Sequence, residues 1–158
     1  MDGQKLSHVD ETGAARMVDV TAKPHTARSA CARARVWLPP EVMAALEGNE
    51  INGPKGAVVA TARIAGIQAA KRTWELIPLC HPLLLGKIDL THRFEGDELV
   101  LEATVACKGP TGVEMEALTA VSVAALTVYD MTKALSHETE IRSTGLVFKR
   151  GGKSDHGA

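Results

Sequence analysis

The sequence predicts an α+β domain, an antiparallel sheet with two helices packed on one face. Three observations predict it. Alternating apolar and polar residues mark strands at 28–37, 83–94 and 99–107, and the final run 139–149 reads as a fourth. Two helix-length segments without that alternation, 57–72 and 113–135, lie after the first strand and before the last. Glu95-Gly96-Asp97-Glu98, between the middle strands, reads as a hairpin turn. The resulting β-α-β-β-α-β order is the ferredoxin-like arrangement.

Residues 1–27 are polar, with a turn expected at Asp10-Glu11-Thr12-Gly13 and one carboxylate in the apolar patch Met17-Val18-Asp19-Val20. In the first strand Ala30, Ala32, Ala34 and Val36 share one face, and Cys31, Arg33, Arg35 and Trp37 the other. Pro39-Pro40 ends it and starts a short helix expected to reach Leu46, since proline suits a first helical turn. Asn49 to Gly56 reads as a polar loop. In the first long helix Lys71 and Arg72 stand at the dipole-favoured end. Its stripe of Ala62, Gly66 and Ala70 invites close packing of another helix or subunit. Trp74 to Pro82 is expected to be irregular, broken by two prolines. The next strand sets Ile88, Leu90, His92 and Phe94 against Lys87, Asp89, Thr91 and Arg93. The return strand buries Leu99, Leu101, Ala103, Val105 and Cys107, and a loop at 108–112 leads to the second helix. No repeat and no second domain are apparent.

With 158 residues the chain suits one domain, enough to bury roughly 68–70% of its unfolded surface. Its net charge of −1 argues against a strongly basic nucleic-acid or membrane-surface protein. With 3% aromatic residues it has little material for stacking bases. Cys31, Cys80 and Cys107 form no CxxC, so neither a zinc knuckle nor a disulfide framework is expected. A reducing compartment suits them. No signal peptide and no spanning helix are expected, so the chain reads as soluble and cytoplasmic.

Three loops carry candidate chemistry. Lys55-Gly56 precedes a helix N-terminus, where free N–H groups, the dipole and a lysine favour anions; a solvated surface lysine is the plain alternative. Leu79-Cys80-His81-Pro82 holds a histidine, either a proton-transfer group or a half-buried structural one. Gly112-Val113-Glu114-Met115-Glu116 opens the second helix, where glutamates either favour the dipole or serve a site. That helix is apolar almost all round, which predicts burial. Asp130 and Lys133 near its end must then be paired or functional. Glu116 and Asp130 share a face to within about 40°, yet lie ~21 Å apart along the axis. A site using both therefore predicts two chains meeting there. Lys149, Arg150 and Lys153 around Gly151-Gly152 offer a further anion grip. The set fits a polyphosphate small molecule.

Several of these motifs, with Ala60-Thr61-Ala62-Arg63-Ile64-Ala65-Gly66-Ile67, Ala69-Ala70-Lys71-Arg72-Thr73, Leu76-Ile77-Pro78-Leu79-Cys80-His81-Pro82, Thr111-Gly112-Val113-Glu114-Met115-Glu116-Ala117-Leu118 and Tyr129-Asp130-Met131-Thr132-Lys133-Ala134, resemble the molybdenum cofactor biosynthesis protein C family. The resemblance covers about Leu6 to Ser154. It implies a lyase that turns 3′,8-cyclo-7,8-dihydroguanosine 5′-triphosphate into cyclic pyranopterin monophosphate and diphosphate. It also implies a homohexamer, a trimer of dimers, with its active site between subunits. Asp130 matches the catalytic position, with Lys55 and Lys133 as acid/base partners. Leu79, Cys80, His81, Met115, Glu116, Glu114, Arg28, Asp19, Lys149 and Lys153 match substrate-binding positions. No metal, cofactor, nucleic acid or membrane is implied. The expected layout is a flexible segment at 1–15, a catalytic domain at 16–150 and a mobile Gly/Lys tail at 151–158. The chain departs from the family pattern at Thr132, where Cys is common, and at Arg150 and Asp155 around the tail glycines. A non-enzymatic regulatory module and a metal-dependent nucleotide phosphohydrolase are the rival readings.

Overall fold

The computed structural model describes Val9, Asp10 and residues 12–157. Most of the segment expected at 1–15, and Glu11 of the expected turn, lie outside the described residues. The elements are β1 (Thr26–Trp37), α1 (Pro40–Met43), β2 (Leu46–Glu47), β3 (Glu50–Gly53), β4 (Gly56–Ala57), α2 (Val58–Lys71), α3 (Thr73–Leu76), β5 (Leu85–Glu95), β6 (Glu98–Gly109), α4 (Glu114–Thr132) and β7 (Glu140–Arg150). The main sheet is antiparallel, in the order β5-β6-β1-β7.

The expected alternation determines which face is covered. Ala30, Ala32, Ala34 and Val36 of β1 are fully buried, as are Leu99, Leu101, Ala103 and Val105 of β6. Both long helices pack against this sheet and against each other. The small-residue stripe explains how closely they do so. A Cβ at Gly66 would sit 2.8 Å from the Ala120 carbonyl oxygen and would run into the Leu90 side chain. The packing expected of this stripe is thus with α4 of the same chain.

The other sheet face is polar and held by charge. Arg33 pairs with Glu102 at 2.6 Å, directly across the β1–β6 register. Arg93 reaches Glu102 at 3.1 Å and Glu95 at 2.7 Å. Arg35 bridges Glu95 and Glu98, both at 2.8 Å. Between β5 and β6 the two-residue turn begins at Gly96, whose φ of +63° matches the glycine position of a type II′ hairpin.

Four expectations are corrected. The helix from Pro40 stops at Met43, and Leu46 enters a strand. The polar loop at 49–56 instead contains β3 and part of a small three-stranded sheet, β2-β3-β4. Its strands are two to four residues long, too short for an alternation to register. One helical turn, α3, opens the segment expected to be irregular. The second long helix is not enclosed in the single chain: Leu126 is 59% exposed, and Asp130 and Lys133 keep side-chain exposures of 54% and 44%. An apolar circumference predicts burial, but among the described residues α4 packs against α2 and against β1, β6 and β7, which leaves the side bearing Leu126 open.

Candidate active site

The predicted residues gather at the two ends of α4. At its C-terminal end the carboxylate of Asp130 accepts from Lys133 Nζ at 2.7 Å and from Lys55 Nζ at 2.8 Å. The same ammonium of Lys55 also donates to the Asp130 carbonyl at 3.0 Å. Lys55 rides on the tight turn between β3 and β4, where Gly56 takes a φ of +100°. The lysines, Lys133 foremost, hold the Asp130 carboxyl down at about 2. Asp130 in turn raises the Lys133 ammonium. Near neutral pH this cluster is therefore a carboxylate gripping two cations. The Asp130 carboxylate fixes where both ammonium groups point.

The anion site expected at the start of α2 is already filled. Glu50 supplies both carboxylate oxygens to that helix end, at 2.7 Å from the Val59 N–H and 2.9 Å from the Ala60 N–H. Sequence reasoning missed Glu50, because nothing in local spacing links a strand residue to a helix nine residues on.

At the N-terminal end of α4, Glu116 is only 4% exposed. Burial, aided by the charge of Glu114, pushes its carboxyl up to about 7. Burial raises the thiols of Cys80 and Cys107, and in both cases Glu116 adds to the effect. The imidazole of His81 lies 2.7 Å from the Val18 carbonyl through Nε2. A carbonyl only accepts, so Nε2 carries the hydrogen. The contact brings the Met17–Val20 patch to the histidine, and within that patch the Thr21 N–H holds the Asp19 carboxyl below its usual range. The ring is held by a carbonyl 63 residues away in sequence.

Nearby, Lys149 Nζ pairs with Glu114 at 3.2 Å. The Glu114 carboxylate lies over Gly112, where any side chain would collide with it. Arg28 donates through Nη2 to the Pro110 carbonyl at 3.4 Å. Its Nε is buried with no partner among the described residues. It lines a groove of about 520 Å³ together with Lys108, Arg150 and Gly151. The tail folds back beside this groove: Lys149 and His156 pair through their backbones, and Arg150 Nη1 donates to the His156 carbonyl at 2.6 Å. Lys153 is exposed in that loop. Leu79 is half-buried, and Met115 is 36% exposed at the start of α4.

One chain thus unites Lys55, Asp130 and Lys133, and separately gathers Asp19, Arg28, Cys80, His81, Glu114, Glu116 and Lys149. The helix between them holds the groups apart by ~21 Å. Fold and site together define an α+β protein whose lysines pair with carboxylates at both ends of one helix, beside a buried arginine Nε with no partner among the described residues. Comparison with known proteins gives the particular family. The model of the MoaC family matches residues 17–152, and the chain belongs to that family. It is 56% identical to a protein of Roseiflexus sp. (strain RS-1) named cyclic pyranopterin monophosphate synthase, over 94% of each chain. A protein of the same name from Xanthomonas oryzae pv. oryzae is 53% identical over 98% of this chain and 94% of its own. A molybdenum cofactor biosynthesis bifunctional protein of Chlorobaculum tepidum is 53% identical over 95% of this chain and 47% of its own length.

Proposed function

We propose that this chain is an enzyme of molybdenum cofactor biosynthesis, a lyase that forms cyclic pyranopterin monophosphate. Its substrate is 3′,8-cyclo-7,8-dihydroguanosine 5′-triphosphate, and diphosphate is released. The observation that carries this reading is the Lys55–Asp130–Lys133 cluster, intact in a chain more than half identical to proteins of that name.

Opening the purine-derived ring and closing the pyran require protons to move at neighbouring atoms. Lys133 and Lys55, charged and oriented by Asp130, are the acids of this step, and either serves as a base once it has given up its proton. Forming the cyclic phosphate is an intramolecular displacement: a substrate oxygen attacks the α-phosphorus and the bond to diphosphate breaks. Positioning and charge neutralisation dominate such a step. Lys149, Lys153 and the unpaired Arg28 Nε suit the phosphates. His81 Nδ1, Cys80, Leu79, Met115, Glu114, Glu116 and Asp19 suit the ring and sugar.

The two clusters lie too far apart for one ligand within a chain. The active site therefore forms between chains, one offering the start of α4 and its neighbour the end, within a homohexamer built as a trimer of dimers. The exposed Leu126 supports such a contact. The strand order β5-β6-β1-β7 with two long helices supports a ferredoxin-like subunit. Residues 16–150 carry the catalysis. The three free cysteines suit the cytoplasm, and no helix of the described residues is long and apolar enough to cross a membrane.

The test supplies the cyclic guanosine triphosphate and follows pterin and diphosphate together. Both should appear in equal amounts. Asp130→Asn should lower turnover by roughly a hundredfold or more, with the assembly unchanged in size. Binding without turnover by the parent chain would favour a regulatory module instead. Near-normal turnover in Asp130→Asn would remove that residue from the mechanism.

A further inference from the structure

We propose that Glu50 is a positioning residue for the Lys55–Asp130 pair: by closing the N-terminus of α2 it fixes the hairpin that carries Lys55 against the end of α4. The residue at the N-cap of α2 is Ala57, in extended conformation and without a side chain able to cap. The exposed donors of the first helical turn, the N–H groups of Val59 and Ala60, would then go unsatisfied. Glu50 takes both from a distance, one carboxylate oxygen each, and also accepts from the Ile51 N–H at 2.8 Å.

The consequence is mechanical. Glu50 opens β3, and β3 turns into β4 through Pro54-Lys55, with Asn52 facing Ala57 and Gly53 facing Gly56. Joining the start of β3 to the start of α2 closes the whole segment 50–60 into one unit. Gly53 brings that unit against α4, since a Cβ there would sit 3.3 Å from the Met131 carbonyl oxygen. Lys55 projects from the same unit to both oxygens it holds on Asp130. Without Glu50 the helix end is left uncapped and the segment that carries Lys55 loses its tie to α2.

That the pair is catalytic rests on the function proposed above; the capping geometry does not. The experiment compares the full-length parent with Glu50→Ala and with Glu50→Ala combined with Ala57→Asp. The added aspartate restores an N-cap in place. Three quantities are read: kcat and KM with the cyclic triphosphate, melting temperature, and titration of the Asp130 carboxyl by carbon-13 NMR. Glu50→Ala should lower kcat roughly tenfold to a hundredfold, change KM little and move the Asp130 titration up toward the ordinary carboxylate range. The double variant should recover all three. A drop in melting temperature with kcat and the Asp130 titration at parent values would reduce Glu50 to a plain cap and overturn the proposal. So would a double variant that recovers only its melting temperature. If the parent chain itself has no turnover, the proposed function fails, and the Asp130 titration with its rescue still decides the role of Glu50.

Discussion

Gly66→Ala adds one methyl group where α2 crosses α4. The new Cβ would meet the Leu90 side chain, sit 2.8 Å from the Ala120 carbonyl oxygen and 3.3 Å from the Ala124 Cβ. Leu90 can rotate away, but the carbonyl belongs to a helix backbone, so the helices themselves must part. Overpacking costs about 1–3 kcal/mol, and a backbone obstacle puts this case at about 2–3 kcal/mol. Replacing a mid-helix glycine by alanine returns about 1 kcal/mol. The net loss is about 1–2 kcal/mol, which in a chain this size lowers the melting temperature by roughly 2–8 °C. Parent and variant are compared by circular dichroism at equal protein concentration, because association itself shifts melting. Gln68→Ala, on the exposed side of the same helix, is the control and should change stability by less than about 0.5 kcal/mol. Adding Leu90→Ala should not rescue Gly66→Ala, since the backbone oxygen remains. Activity should fall with stability, because Lys55 precedes α2 and Asp130 lies on α4, so separating the helices loosens the pair. A melting temperature at or above the parent's would refute the close helix contact.

Three further outcomes concern charge. The folded carboxyl of Glu116 lies near 7 against an ordinary 4.5, so the native state holds its proton more tightly. Its contribution is fully present below 4.5 and is lost as pH rises toward 7. Glu116→Gln should therefore flatten this slope in urea unfolding between pH 4.5 and 8, and an unchanged slope would contradict the buried, protonated acid. Asp130 has the opposite sign: lowered from 3.8 to about 2, it stabilises above 3.8 and the gain disappears as pH falls through 2, an acid limb that Asp130→Asn should lack. Lys149→Met leaves Glu114 without its partner and removes the proposed phosphate contact. KM should rise roughly tenfold with kcat nearly kept, and an unchanged KM would place Lys149 outside the site.

The long elements were legible because burial repeats along them. The alternation in β1 and β6 follows directly from one face meeting helices. The Ala62, Gly66 and Ala70 stripe was visible as a place of close approach, although its partner was not. The short strands β2, β3 and β4 were not legible, since two to four residues hold no period. Candidate site residues were legible as charges and histidines at helix ends and in Pro/Gly loops. Their partners were not. Lys55 and Asp130 are 75 residues apart in sequence, and only the packing of α2 on α4 joins them. His81 and the Val18 carbonyl are equally unconnected until the chain folds.

By itself the sequence determined the periodic parts of the fold and which side chains could bear charge at an active site. Periodicity and residue type are local properties, carried by neighbours along the chain. The tertiary structure decided which charges meet: that Asp130 grips two lysines, that Glu50 occupies the helix end expected to bind an anion, and that α4 keeps its two clusters apart. Coulombic and hydrogen-bonding energies depend on distances of a few ångströms, and residues remote in sequence acquire such distances only when the elements pack.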